Sequence, residues 1–172
     1  MFTDGTRTVF ESPSDAQVAQ WAGEFATASP FPHLVVDEVF GGSTEVAAAF
    51  PAEQWDGWQL MGERYQRGKR YCADIALIPD ALRETIIRLN SPRVLRTLER
   101  ITGIERLIAD PYLEGAGLHA SGPGGVLLPH SDFHYHRLGV YRRLNLLVYL
   151  NDGWTIDDGG ASQRSRRALC HR

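Results

Sequence analysis

The amino-acid sequence predicts an α+β protein in which a helix-rich N-terminal half precedes an antiparallel β-structure, a sandwich or a jelly roll. Up to Gly103, apolar residues recur with the 3.6-residue period of amphipathic helices, between serine, proline and glycine residues that begin or end helices. After Gly103 this period is lost, and short apolar runs alternate with glycine-rich turns. A chain of 172 residues is long enough for one domain with a buried core.

Two helices are predicted before residue 51. Residues 14–27 place apolar side chains at i, i+3, i+4 and i+7, and Ser12 or Ser14 can cap the first turn. A short helix is predicted over residues 44–50, which are followed by a proline.

Two further helices are delimited by the residues at their ends. One starts at Pro79 and ends near Asn90. The next has Ser91 as its N-cap, Pro92 at its first helical position and Gly103 as its stop.

Strands are predicted where β-branched and aromatic residues cluster. Residues 33–40 and 70–77 are the first two candidates, and further strands are expected from residue 106 onward. Among these, residues 142–150 alternate a polar face with an aliphatic one, which suits the wall of a barrel around a wet pocket.

Composition divides the chain into three segments. A helix-rich segment covers residues 1–105, the first strands of the β-structure cover residues 106–160, and an aberrant basic tail covers residues 161–172.

The overall composition is that of a soluble globular protein, with 43% hydrophobic and 23% charged residues. A net charge of −3 gives no sign of nucleic-acid or membrane binding, and no apolar run approaches the length of a membrane span. The N-terminus has no basic segment followed by an apolar one, so no signal peptide is predicted. Two cysteines do not make a disulfide framework, which favours a cytoplasmic protein; its oligomeric state is open.

Half of the six histidines lie in LPHSDFHYH, at positions 128–136. In an extended chain, His130, Asp132, His134 and His136 share one face. Imidazole and carboxylate groups at this spacing suit Fe(II), Zn(II) or Mn(II), although an isolated H-x-D pair also occurs by chance on solvated faces. The proline before this pair and the apolar strand after it favour a metal site at His130 and Asp132.

The surrounding sequence resembles a known family. The segments GAGLHASGPGGVLLPHSDFHYH, YRRLNLLVYLNDGW and DDGG, from about Asp110 to Gly160, resemble the iron(II)/2-oxoglutarate-dependent dioxygenases, in the branch of the prolyl 4-hydroxylase catalytic domains. The segment LNSPRVLRTLERITGI also resembles the N-terminal region of bacterial members. The resemblance implies a double-stranded β-helix (a jelly roll) in which His130 and Asp132 are iron ligands and a second histidine follows several strands later.

The resemblance also implies a reaction. Two histidines and a carboxylate leave three coordination positions of Fe(II) open. In the family, 2-oxoglutarate occupies two and O₂ the third, and a C–H bond of the substrate is hydroxylated while 2-oxoglutarate becomes succinate and CO₂. Ascorbate is a further candidate cofactor. The expected substrate is peptidyl-proline-like or another small molecule, and no additional catalytic residue is assigned.

Other polar residues are candidates for the same pocket. Arg143 and Asn145 lie on the polar face of 142–150 and are candidate cofactor-binding residues, although a solvent-exposed face explains them equally well. His119 either lines the site or forms a hydrogen bond within its turn, and the second is favoured. His134 and His136 are expected to support the loop or the substrate entrance.

The family's later strands, its second iron-binding histidine and its basic 2-oxoglutarate anchor are not identified in this sequence. His171 lies in the arginine-rich tail, which has no strand character, and is not assigned as a ligand. We expect the sequence after Gly160 to be out of frame or truncated, with a natural basic tail as the alternative. On this expectation the aliphatic face of 142–150 is incompletely buried, the chain folds poorly, and it gives no 2-oxoglutarate turnover.

Two other functions stay open. One is a catalytically inactive remnant of the same fold, which binds a partner or nothing. The other is a cupin-like module that binds zinc or manganese through the local histidines.

Overall fold

A computed structural model of the protein describes residues 7–61, 66–128, 130, 132–151, 153 and 155. Within these residues the chain forms four α-helices and one three-stranded antiparallel sheet. Helices and an antiparallel sheet are thus both present, whereas their arrangement as a jelly roll stays a prediction.

The chain divides into two compact units. One consists of the chain up to Ala49 together with Ala81–Asp110, and the other of Phe50–Asp80 together with the chain from Pro111 onward. Residues 50–80 therefore group with the chain from Pro111 onward.

The four helices are α1 (Asp15–Thr27), α2 (Ser43–Ala48), α3 (Asp80–Leu89) and α4 (Pro92–Thr102). Their ends lie within two residues of the predicted ones. Among the described residues, none of these helices is long and apolar enough to cross a membrane.

Local capping explains why two of the helices begin and end where the sequence predicts. The Ser14 hydroxyl accepts the backbone N–H of Gln17 at 3.2 Å, and the Ser91 hydroxyl accepts that of Val94 at 3.4 Å. Gly103 ends α4 with φ of 70°, a left-handed conformation that glycine adopts without a steric penalty.

The first unit has its core between α1 and α4. α4 buries Val94, Leu98 and Ile101, and a short 3₁₀ helix before α1 packs against α4 as well. The rings of Phe10 and Trp21 lie 5.5 Å apart, centroid to centroid. Because each fully buried aliphatic side chain contributes about 1.5–3 kcal/mol, this interface stabilises the unit through apolar burial.

The segment 33–40 is a loop, so the prediction of a strand there was wrong. Phe40 alone of these residues pairs, in an isolated antiparallel bridge with Thr8, beside a hydrogen bond of 2.6 Å from Val9 N–H to the Val39 carbonyl. β-Branched residues favour a strand only where a partner strand supports it, and this segment gains a single bridge.

The second unit contains the sheet. Its strands β1 (Gln59–Met61), β2 (Gln66–Cys72) and β3 (Leu118–Leu127) pair antiparallel in the order β1-β2-β3. The strand predicted over 70–77 is thus partly correct, because β2 covers its first three residues and then stops. Asp74 explains the end of β2, since its carboxylate accepts the backbone N–H of Ala76 at 2.9 Å and forms a turn.

The end of β2 lies tightly against the start of β3. Both residues belong to the core, since Cys72 is 1% exposed and Leu118 is 6% exposed. A Cβ atom on Gly117, whose φ is 98°, would overlap the carbonyl oxygen of Cys72. Glycine is therefore required where the chain enters β3.

The other face of the sheet is polar. Lys69 pairs with Ser121 and Tyr71 pairs with His119 across β2 and β3. Directly opposed residues and residues two apart project to the same side, so these four side chains share one face.

Strands were predicted from residue 106 onward and over 142–150, but within the described residues the segments 106–113 and 142–150 pair with no other strand. The strand predictions for these two segments were wrong. The predicted alternation in 142–150 is nevertheless visible, because Leu144, Val148 and Leu150 are half-buried while the odd-numbered residues are exposed. Leu146, on the same aliphatic side, remains 39% exposed. The aliphatic face is therefore only partly covered.

Candidate metal centre

His130 is held by a hydrogen bond to the chain just before it. Its Nδ1 lies 2.8 Å from the carbonyl oxygen of Leu128. A carbonyl oxygen only accepts, so Nδ1 carries the proton and donates it, and the neutral ring then has its lone pair on Nε2. Metal-binding histidines are commonly oriented by a bond of this kind.

The two carboxylate oxygens of Asp132 have different neighbours. Oδ1 lies 3.5 Å from Nε2 of His130. Oδ2 accepts a hydrogen bond from Nδ2 of Asn145 at 3.1 Å and lies 3.6 Å from Nη2 of Arg142. Asn145 and Arg142 therefore hold the oxygen that faces away from the histidine.

Two electron-pair donors, Nε2 of His130 and Oδ1 of Asp132, lie close enough to bind the same ion. A lone pair on Nε2 of His130 and a carboxylate oxygen of Asp132 repel each other unless a proton or a cation lies between them. Metal–ligand bonds to such atoms are about 2.0–2.2 Å long, so donors separated by 3.5 Å can both reach one ion. The pair thus fits two adjacent positions of a divalent metal.

The described residues supply two donors and not a complete ligand set. Among them, no group of three or more histidine, cysteine, aspartate or glutamate side chains is arranged to hold a metal ion. His171 lies outside the described residues. The exposed His134 and the buried His136 do not join His130 and Asp132 in such a group.

Arg142 links the carboxylate to the following segment. Its Nη2 donates to Oδ1 of Asn145 at 2.6 Å, and its guanidinium carbon lies 4.9 Å from the centre of the Phe133 ring. The backbone N–H of Arg142 donates to the carbonyl of His134 at 3.0 Å. Arg142 is therefore fixed at both its backbone and its side chain.

The predicted cofactor-binding residues are placed differently from each other. Both residues are exposed, but Asn145 belongs to a cluster with His130, Asp132, Phe133 and Arg142 through its bond to Asp132. Of the two neighbouring arginines, Arg142 and not Arg143 contacts Asp132. Sequence analysis missed Arg142 because it assumed a regular strand, in which residues i and i+3 face opposite sides. The Arg142–Asn145 contact shows that the chain departs from that geometry here.

A tight turn positions Arg142 beside the H-x-D segment. Within it, His136 N–H donates to the Val140 carbonyl at 2.9 Å, and Gly139 N–H donates to the His136 carbonyl at 2.9 Å. Nε2 of the buried His136 lies 2.9 Å from Oε2 of Glu114, and its Nδ1 accepts the N–H of Leu138 at 3.1 Å. His136 thus supports the loop, which is one of the two roles predicted for it.

Gly115 provides space for the aromatic and cationic side chains of the cluster. A Cβ atom there would lie 2.6 Å from Cε1 of Phe133 and 3.2 Å from Nη1 of Arg142. The φ of Gly115 is also 71°, which disfavours any other residue.

Two titratable residues on the polar face of the sheet, Lys69 and His119, are influenced by the charge of Asp132. Burial lowers the pKa of Lys69, and the charge of Asp132 acts in the opposite direction. Burial, followed by the positive charge of Lys69, lowers the pKa of His119 to about 4; a hydrogen bond to the Ala116 backbone opposes this change. The His119 residue is nevertheless exposed by its accessible surface, so the desolvation comes from the atoms crowded around the ring rather than from full burial. Its ring is stacked on that of Tyr71 with centroids 6.5 Å apart.

One of the two interpretations of His119, a hydrogen bond within its turn, is realised, and its place in the site stays a prediction. It forms a hydrogen bond with the turn before β3, and it responds to the charges of Lys69, Arg142 and Asp132. Sequence analysis missed Lys69 altogether, because its position on the same face as His119 depends on how β2 pairs with β3.

Comparison with known proteins leaves the family open. The chain matches no protein-family model, and neither a curated protein nor a solved structure shows significant similarity to it.

Proposed function

We propose that this protein functions as an Fe(II)- and 2-oxoglutarate-dependent dioxygenase that hydroxylates a C–H bond of a peptidyl-proline-like or small-molecule substrate. The observation that carries the proposal is the pairing of Nε2 of His130 with Oδ1 of Asp132 at 3.5 Å. Both groups have their other polar atom held by a hydrogen bond, as ligands of a metal ion usually do.

Each residue near the pair has a role in this proposal. His130 and Asp132 hold Fe(II), and the amide of Asn145 keeps the carboxylate turned toward the histidine. Arg142 keeps that amide in place through its bond to Oδ1. An Fe(II) ion held there would activate O₂, which is the oxidant, while 2-oxoglutarate is oxidised to succinate and CO₂ and the substrate C–H bond is hydroxylated.

The setting of the reaction belongs to the same proposal. Two cysteines that make no disulfide framework favour a reducing compartment such as the cytoplasm, where Fe(II) and ascorbate are kept reduced. The substrate is a small molecule or a peptide, and no nucleic-acid or membrane partner is proposed.

The direct test is binding of the cosubstrate to the metal, since the described residues supply two of the metal's protein ligands. We expect 2-oxoglutarate, added without oxygen to protein loaded with Fe(II), to give the visible charge-transfer band of an iron–2-oxo acid chelate. Glutarate lacks the keto oxygen and should give none. Asp132→Ala should abolish the band, and Asp56→Ala, at an exposed aspartate, should preserve it.

The proposal is wrong if 2-oxoglutarate and glutarate give the same spectrum, or if the band persists in Asp132→Ala. Succinate that forms only when Fe(II), 2-oxoglutarate and O₂ are all present would establish the oxidation chemistry as well. It would also contradict the expectation, drawn from the sequence after Gly160, that the chain gives no turnover.

A further inference from the structure

The segment 144–150, in the second unit, has the sequence of a β-strand but no partner strand. It reads LNLLVYL and contains no charged residue, proline or glycine. Among the residues that the structure describes, the backbone N–H and carbonyl groups of 144–150 form no hydrogen bond. Such groups favour pairing with another strand, as they do along the edge of a sheet.

The middle of this segment is open on both of its faces. Alternate side chains, beginning with Leu144, are aliphatic and mostly half-buried, as expected where one face of an extended chain packs on its own protein. At the centre, however, Asn145, Leu146 and Leu147 are all exposed, and Leu147 has 63% of its surface accessible. A second strand beside this one would cover the aliphatic face and supply the missing hydrogen bonds together.

The edges of the three-stranded sheet are less suited to such pairing. β1 has three residues, and β3 contains Pro123 with a glycine before it and two after it. The register of β3 with β2 shifts at this point. Proline and an irregular register protect an edge strand from further pairing, and 144–150 has neither.

The segment is complementary to a second copy of itself. Antiparallel pairing about a two-fold axis through Leu147 gives every one of its residues a partner and places both aliphatic faces on the same side. The neighbouring registers that keep the aliphatic faces together leave residues at one end of each strand unpaired. The opposed residues are Leu144 and Leu150, Leu146 and Val148, Asn145 and Tyr149, and Leu147 and its own copy. No like charges oppose each other, because the segment has none.

We propose that this protein forms a two-fold symmetric dimer in which 144–150 pairs antiparallel with the same segment of a second copy. A two-fold contact of this kind uses one self-complementary surface twice, so it closes at the dimer. The inference is independent of the proposed function, since neither the metal nor the cosubstrate takes part in the pairing.

Disulfide cross-linking of the full chain tests the register. Directly opposed residues of antiparallel strands have Cα atoms about 4.5–5.5 Å apart, and a disulfide joins Cα atoms roughly 4.4–6.8 Å apart. Cys170→Ser removes one of the two native cysteines, and Cys72 is buried. In this background, Leu147→Cys should give a disulfide-linked dimer on mild oxidation.

Tyr149→Cys in the same background is the matched control. Tyr149 lies on the same face as Leu147 and is similarly exposed, at 65%. In the proposed register, however, the two copies of residue 149 are about 13 Å apart along the strands. We expect Leu147→Cys to cross-link about tenfold faster or more, because only its two thiols are held together.

Sedimentation of the full chain measures the dimer without added cysteines. Leu147→Lys places two like charges opposite each other on the axis and should shift the mass from dimer to monomer. Leu138→Lys adds the same charge at a leucine outside the segment that is 52% exposed, and it should stay dimeric. Because both leucines are exposed, neither lysine has to be buried, and circular dichroism should show both variants folded.

Three results would overturn the inference. One is a monomeric wild type throughout the micromolar range, which would leave strand addition by a different protein as the use of this segment. Another is equal cross-linking at positions 147 and 149, which would indicate non-specific aggregation. The third is the same mass for Leu147→Lys and Leu138→Lys. None of these results bears on the iron chelate band, so the proposed function is tested separately.

Discussion

Asn145 donates a hydrogen bond from Nδ2 to Oδ2 of Asp132 at 3.1 Å, across thirteen residues of the chain. The same amide accepts a bond of 2.6 Å from Arg142 through its Oδ1. Because the amide is held at both ends, it fixes the plane of the carboxylate and leaves Oδ1 of Asp132 facing His130. The orientation of the candidate metal pair thus depends on a residue that is not itself a ligand.

Asn145→Ala should therefore weaken divalent-metal binding. Loss of a residue that orients a ligand typically lowers metal affinity by about 10–100-fold. Anaerobic titration calorimetry with Fe(II) measures the effect, and Asn151→Ala, at an exposed asparagine farther along the segment, is the control. An affinity of Asn145→Ala equal to that of the control would show that the carboxylate needs no such support.

Gly115→Ala should disturb the residues around Asp132 more than Gly139→Ala does, although both substitutions place alanine in a left-handed backbone conformation. Gly115 and Gly139 have φ values of 71° and 75°, but a Cβ atom meets Phe133 and Arg142 at the first and open space at the second. A non-glycine residue in this conformation costs about 1–2 kcal/mol. We expect Gly139→Ala to lose roughly that amount in urea unfolding and Gly115→Ala to lose more. We also expect only Gly115→Ala to weaken metal binding; equal losses at both sites would contradict the packing account.

His119 should make stability depend on pH. Its pKa is about 4 in the folded protein, against an ordinary value of 6.5 that the unfolded chain retains. Between these values the unfolded chain binds a proton at His119 that the folded protein does not, so the free energy of unfolding falls as pH is lowered from about 6.5 to about 4. Above this window the residue contributes no pH dependence.

Comparison of wild type with His119→Gln isolates this effect. The free energy of unfolding of wild type minus that of the variant should decrease as pH falls through the window, measured by urea titration at several pH values. A difference that stays constant from pH 7 to pH 4 would show that folding does not lower the pKa of this histidine.

The contact between Glu114 and the buried His136 should stabilise the turn that carries Arg142. Removing one partner of a buried hydrogen bond costs about 1–3 kcal/mol. Glu114→Ala should accordingly lower the free energy of unfolding by about this amount, and it should weaken metal binding less than Asn145→Ala does. Glu105→Ala, at an exposed glutamate, should stay close to wild type in the same urea titrations; a similar loss in both variants would argue against a specific contact.

The helices could be predicted from sequence because the signals that define them are local. Ser14 and Ser91 cap helices within three residues of themselves, and Gly103 ends α4 by its own conformation. The strands could not be predicted as well, since pairing joins residues far apart in the chain. The segment 33–40 has strand-forming residues but obtains a single bridge, whereas QRGKRYC, at Gln66–Cys72, forms the central strand although it was only partly predicted.

The candidate site shows the same division. His130 and Asp132 could be named from their spacing, because both come from one short stretch. Arg142 reaches Asp132 through a turn, and Lys69 and His119 share one face of the sheet through the register of β2 with β3. The sequence alone specifies neither the turn nor the register. The sequence offered one signal for Lys69. It is the only lysine of the chain, and it lies two residues before Tyr71 on a strand.

The central claim is that His130 and Asp132 together hold a divalent metal ion, and anaerobic titration of the protein with Fe(II) tests it most directly. We expect one ion to bind per chain in wild type and in His134→Ala, which removes a histidine of the same stretch. We expect no measurable binding in His130→Ala or Asp132→Ala, with circular dichroism spectra that match wild type. Stoichiometric iron in Asp132→Ala, or equal losses in His134→Ala and His130→Ala, would contradict the account.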